Sequence, residues 1–163
     1  MCLKSLKFGF KLSKMLIEMN TNEVSEEQAL ERPEDGGNCM NWILGHILFA
    51  RKGLLTLLGA PLPAAFERID IYKRGSSGDV ADDHLDLATL KATIAETSDT
   101  ILKLLNEMKD EQLTQEIPAD RFPIPVEEPT LWTMLHLLMM HEGYHVGQIG
   151  LARRIAGGEP VIR

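Results

Sequence analysis

The sequence predicts an all-α protein, a four-helix bundle with long connections between its second and third and its third and fourth helices. Three observations carry this expectation. Apolar residues recur at helical spacing in four segments. Clusters of proline and glycine separate those segments. No convincing stretch alternates apolar and polar residues as a half-buried strand does. The 163 residues suit a single domain, residues 1–163, with its own core. A hydrophobic fraction of 44% and a charged fraction of 25% are ordinary for a globular chain.

The first helix, roughly 3–20, sets Leu6, Phe10, Met15, Leu16 and Met19 at near-helical spacing. The second, about 40–58, carries Ile43, Leu44, Ile47, Leu48, Leu54, Leu55 and Leu58. The third, about 85–108, has the clearest amphipathic pattern: Leu87, Leu90, Ile94, Ile101, Leu104, Leu105 and Met108. The fourth, about 131–156, starts behind Thr130 as an N-cap and stops at Gly157. Between them lie RPEDGGN (32–38), GAPLP (59–63), KRGSSGD (73–79) and PADRFPIPVEEP (118–129), and GGEP (157–160) ends the last helix. The stretch 66–72 is a weak strand candidate and is read as loop. The two later connections run to about 25 and about 20 residues, more than a minimal bundle needs, and connections of that length often cover or shape a site.

Composition excludes several classes. The net charge is −7 and no Lys/Arg run stands out, so no nucleic-acid footprint is present. No apolar run reaches the roughly 18 residues of a membrane helix. The N-terminal MCLKSLKFGFKLSKM is broken by lysines and is not a signal peptide. Cys2 and Cys39 form no C-x-x-C pair and are read as free thiols. The expectation is a soluble cytoplasmic protein with neither nucleic acid nor membrane as a partner.

The chemistry concentrates in the histidines. His141 and His145 lie four residues apart in the fourth helix and point within roughly 40° of each other. Met134, Leu137, Leu138, Gln148, Ala152 and Ile155 share that direction, taken as the core face. Burying two imidazoles costs free energy unless they find partners. Either carbonyls and hydroxyls satisfy them, or a metal does, since neutral imidazole is a good ligand for zinc and nickel. His46, set among Leu44, Ile47 and Leu48 of the second helix, supplies a third ligand if the two helices pack side by side. Three histidines with an open position are the pattern of a reactive metal centre. His136 points about 140° away and reads as a surface or interface residue. His84, in the acidic DVADDHLD, reads as solvated or part of a cap.

His141-Glu142-Gly143-Tyr144-His145 spells H-E-x-x-H, the zinc-protease pattern. The extended form needs Gly at 148 and His at 151, where this chain has Gln148 and Leu151. A downstream glutamate ligand is not available in the short tail. A di-iron bundle needs a second E-x-x-H, which the chain lacks. Glu142, set at the rim of the histidine face, fits two roles: an acceptor or general base beside the metal, or an exposed carboxylate making surface pairs. Tyr144, on the other flank, fits a donor to a bound ligand or a ring packed between helices. Trp132, Met139, Gly143, Val146 and Gly150 form an opposite stripe, predicted to pack on a second subunit or on a long connection.

NWILGHI (41–47), approached by Asn38, followed by a proline-rich connection into Leu131-Trp132 and then HEGYHVGQIGLARR (141–154), resembles the DinB superfamily over nearly the whole chain. It is similar in particular to its DinB-like and YfiT-like metal-dependent hydrolases. The resemblance implies an up-down-down-up bundle, usually a homodimer. It also implies a divalent metal, nickel or zinc, on His46, His141 and His145, the three that burial picks out. Gln148 falls on the signature glutamine and takes a supporting role, with Tyr144 beside it. Many relatives carry Arg or Lys after the last histidine, where this chain has Val146. For activity, the resemblance implies a metal-dependent hydrolase or a transferase using a small thiol of the bacillithiol or mycothiol type, hence a small-molecule or thiol substrate. The alternative is a metal-binding or stress-induced bundle without enzyme activity.

Overall fold

The computed structural model describes residues 3–33, 36–76, 80 and 83–162; Cys2 lies outside the described residues. Four long helices form, α1 (Leu3–Thr21), α3 (Met40–Leu57), α4 (Leu87–Glu107) and α5 (Leu131–Ile155), with a short α2 (Glu26–Leu30) after the first. Each long span falls within about two residues of its expected range, and caps mark the starts of the last three. Asp86 caps α4 by accepting from the Thr89 N–H at 2.7 Å, and Thr130 caps α5. Cys39 is buried and caps α3 with its sulfur, which accepts from the Trp42 N–H. The short α2 was not expected. Its signal was there in Ser25-Glu26-Glu27-Gln28, a capping box whose two reciprocal bonds both form. Five residues are too few to show a period.

Pairwise contacts give the topology. Gly9 abuts Met139, Ser13 bonds Glu142 and Asn20 abuts Gly150, so α1 and α5 run parallel. Lys14 meets Asp99 and Lys91 reaches the Thr21 carbonyl, so α1 and α4 are antiparallel. Asn41 bonds Leu85 while Arg51 bonds Ile94 and Ser98, so α3 and α4 are parallel. The order is up-down-down-up. Each long helix packs on two neighbours, and α1 and α3, like α4 and α5, sit across the bundle's diagonal.

This arrangement explains the longest connection. Parallel consecutive helices require the chain to return the full length of the bundle, here residues 58–86. That return holds the 3₁₀ turns Ala64–Glu67 and Ile69–Tyr72, which pack on α3, so the stretch read as loop is turn rather than strand. Among the described residues the only β pairing is an isolated bridge, Glu116 to Thr130. Tyr72 is fully buried, its ring lying so close to Gly45 that a Cβ there would collide with it. Its hydroxyl donates to Asn41 Oδ1 (2.9 Å) and accepts from the Leu85 N–H (2.8 Å), tying the return to both helices it joins.

The core face of α5 differs in phase from the expectation. Leu131, Leu135, Leu138, Glu142, His145, Ile149 and Ala152 are buried, a 4-3-4-3 spacing, while Ile155 is exposed and His141 lies on the flank. The opposite stripe is corrected in part. Met139 and Gly150 face α1 of the same chain, Val146 is buried, Trp132 is half-buried, and Gly143 opens outward.

Candidate metal centre

His46 from α3 and His141 and His145 from α5 come together as i,i+4 neighbours on one helix meeting a residue from the helix packed beside it. His141 Nε2 stands 3.2 Å from both His46 Nε2 and His145 Nε2, and the three ligand atoms lie within 4.8 Å of one another. The far nitrogens explain why Nε2 is the atom presented. His46 Nδ1 donates to the Tyr72 carbonyl at 2.7 Å, and His145 Nδ1 donates to Gln148 Oε1 at 2.7 Å. In a neutral ring each of those donations leaves Nε2 bare. His141 Nδ1 is buried without a hydrogen-bond partner.

Two of the rings, His141 and His145, are held neutral for a physical reason. His141 is pushed down to about 4, first by burial and then by the neighbouring His145 and His46, with Glu142 acting against them. Burial also lowers His145, against a raising hydrogen bond from Gln148. Bare lone pairs therefore converge with at most one N–H, on His141, to bridge them, so the cluster is frustrated by itself. A cation at the point of convergence would relieve it. Two nitrogens about 2.0–2.1 Å from a tetrahedral zinc stand about 3.3 Å apart, close to the 3.2 Å found here. The three histidines are thus positioned to hold a metal ion, and the residues fit it.

Aromatic side chains wall the site. Trp42 stacks on His46 with ring centroids 4.7 Å apart, held by its indole N–H donating to Ser76 Oγ, and Phe49 stacks farther along at 6.3 Å. Tyr144 sets its ring against the edge of His145 at 5.1 Å and is 67% exposed, so it is not packed between helices. His136 is away from the cluster, its ring against Trp132 and its Nδ1 donating to the Trp132 carbonyl. His84 pairs with Glu26 near the start of α4.

Of the two roles the sequence allows Glu142, the surface one is corrected. Glu142 is fully buried, so it is not a surface carboxylate. Arg51 Nε donates to Oε1 at 2.7 Å and Nη2 to Oε2 at 2.9 Å, and Ser13 Oγ donates to Oε2 at 2.7 Å. Arg51, also 0% exposed, spends Nη1 on the Ile94 carbonyl, Thr97 Oγ1 and Ser98 Oγ of α4. Sequence reasoning passed over Arg51. The available signal was a lone arginine in the apolar α3 and a lone glutamate in α5, the one charged residue between Leu131 and Ala152.

Comparison with known proteins places this geometry. The chain is similar to a conserved protein from Enterococcus faecalis known from a crystal structure, with 16% identity over 96% of this chain and 97% of that one, at a TM-score of 0.71. At that identity the likeness is one of fold. No curated protein matches. Residues 11–149, which include all three histidines, match the family model of the DinB superfamily. With a bundle of the expected topology and three converging imidazoles, the chain belongs to the DinB superfamily.

Proposed function

We propose that this protein binds one divalent ion, nickel or zinc, through Nε2 of His46, His141 and His145, and is a metal-dependent hydrolase or thiol transferase acting on a small molecule. The observation that carries the proposal is the convergence of three Nε2 atoms, two of them turned inward by hydrogen bonds on their far nitrogens. A bound ion of this kind lowers the pKa of a water or thiol and supplies a nucleophile at neutral pH. The chain's own residues do the rest. Tyr72 and Gln148 hold two rings in place, Trp42 and Phe49 shield one side from water, and the exposed Tyr144 hydroxyl is free to donate to a ligand. Buried Cys39 suits a reducing compartment, and the proposal takes that to be the cytoplasm.

A second reading, a metal-binding bundle without activity, has its own support: the carboxylate nearest in sequence is held by Arg51 and Ser13 and is not free to act as a general base. Metal analysis of purified protein tests both. Stoichiometric nickel or zinc that is lost in His141→Ala is expected; no metal, and no change in that variant, sinks both. Hydrolysis and thiol-transfer assays with metal added and chelated then separate them.

The proposal includes a homodimer, seated on the outer face of α1. Phe8, Leu12, Met15 and Met19 are exposed there at one helical face. The pattern is self-complementary about its midpoint. An antiparallel copy sets Phe8 against Met19 and Leu12 against Met15. Light scattering of Leu12→Asp should show monomer where the unchanged chain is dimeric.

A further inference from the structure

Five residues on four helices share one buried polar network. Ser13 of α1 and Glu142 of α5 meet Arg51 of α3, and Arg51 meets Thr97 and Ser98 of α4. Every donor on Arg51 that has a partner points at a fixed acceptor, and Glu142 is engaged on both oxygens. Stability alone is a poor account of such a group. Desolvating two charges costs about what their attraction returns, and well-packed apolar replacements often do as well; what buried pairs best specify is register.

Register is what the metal centre lacks the means to set. Without an ion, at most one of the two 3.2 Å contacts among the Nε2 atoms can carry a proton, so the other sets lone pair against lone pair, and His141 Nδ1 has no partner to hold its ring. His141 and His145 flank Glu142 in sequence, on the same two turns of α5. Rotating that helix by roughly 20° would carry an imidazole nitrogen, well outside the Cα cylinder, by about 2 Å. The Arg51–Glu142 contact resists such a rotation because it is a planar, two-bonded fork with a preferred direction.

We propose that Glu142 and Arg51 are positioning residues. Their fork locks the rotation and height of α5 against α3, so that His141 and His145 meet His46 in ligand geometry before any ion arrives. This rests on the metal reading of the three histidines. Glu142 acts through the histidines beside it and neither binds the ion nor moves a proton.

Cobalt(II) tests this, because its absorption spectrum reports ligand geometry apart from any activity. Arg51→Met with Glu142→Leu replaces the pair by apolar groups and is expected to stay folded by circular dichroism. Its cobalt affinity should fall about 10- to 100-fold, the usual effect of losing a residue that orients ligands, and its spectrum should change. Arg51→Lys keeps the charge without the fork and should behave the same way. Ser13→Ala, a milder change that secures the test if the double variant misfolds, should lower affinity by a smaller factor in the same direction. Variants that are folded and bind cobalt with unchanged affinity and spectrum would overturn the proposal. An unchanged chain that binds no cobalt would instead overturn the metal reading beneath it.

Discussion

At the scale of the residue, the site depends on atoms that do not face it. His46 presents Nε2 because the Tyr72 carbonyl holds Nδ1, and His145 because Gln148 does. His141 has no such support, and its neutrality comes first from burial. That has a pH consequence for the metal-free protein. In the unfolded chain His141 titrates near about 6.5, and in the fold it is held down to about 4. Between those values the unfolded chain binds more protons, so stability rises with pH in that window. Stability should be complete above about 6.5, fall on acidification towards 4 by on the order of 3 kcal/mol from this group alone, and level off below. Thermal melts of the metal-free protein and of His141→Ala across that range check it; the variant should lack this part of the slope. His141 and His145 were legible from spacing, His46 from its apolar setting and Gln148 from the family resemblance, whereas the tautomers were not legible, because the Tyr72 carbonyl comes from a segment 26 residues away.

At the scale of the element, α5 shows what periodicity alone can miss. Its apolar residues run nearly all round, which leaves its face ambiguous, and a glutamate is the last residue one would put at the centre of a core stripe. Taking Glu142 as a rim residue turned the face by about one position. Its partner Arg51 lies on another helix, so no local pattern marks the pair as neutralised. The 4-3-4-3 stripe makes a test. Leu135, fully buried, should cost roughly 2–5 kcal/mol when cut to alanine. Leu151, 57% exposed, should change stability by less than about 0.5 kcal/mol. Denaturant unfolding of the two variants checks the observed phase, and the comparison is fair because both side chains are leucine. The ends of the helices were far easier to read, since caps such as Asp86 and Thr130 act over three residues.

At the scale of the whole molecule, the return segment between α3 and α4 joins fold to site. Tyr72 ties it down with its hydroxyl on Asn41 and Leu85, its ring on Gly45 and its carbonyl on His46. Tyr72→Phe should cost about 1–3 kcal/mol, because it leaves the buried Leu85 N–H and Asn41 Oδ1 unpaired. Burial raises the Tyr72 phenol to about 12 from its ordinary 10. The neutral phenol's contribution is therefore present below pH 10 and lost as pH rises from 10 to 12. Alkaline unfolding should show this loss in the unchanged chain and not in Tyr72→Phe. No described helix is long and apolar enough to cross a membrane, in keeping with the hydropathy of the sequence.

The sequence by itself determined the class, the four long helices and the three histidines, because caps, breakers and periodic apolar residues act within a few positions of one another. Only the tertiary structure decided the phase of α5, the tautomers of the ligands and the fate of Glu142. Each of those rests on a contact between segments far apart in the chain: Arg51 with Glu142 across 91 residues, Ser13 with Glu142 across 129. A charge that looks catalytic in a motif and one that looks exposed on a helix are the same residue to a local reading. Whether it faces the metal, the solvent or an arginine is settled by which helix lies beside it.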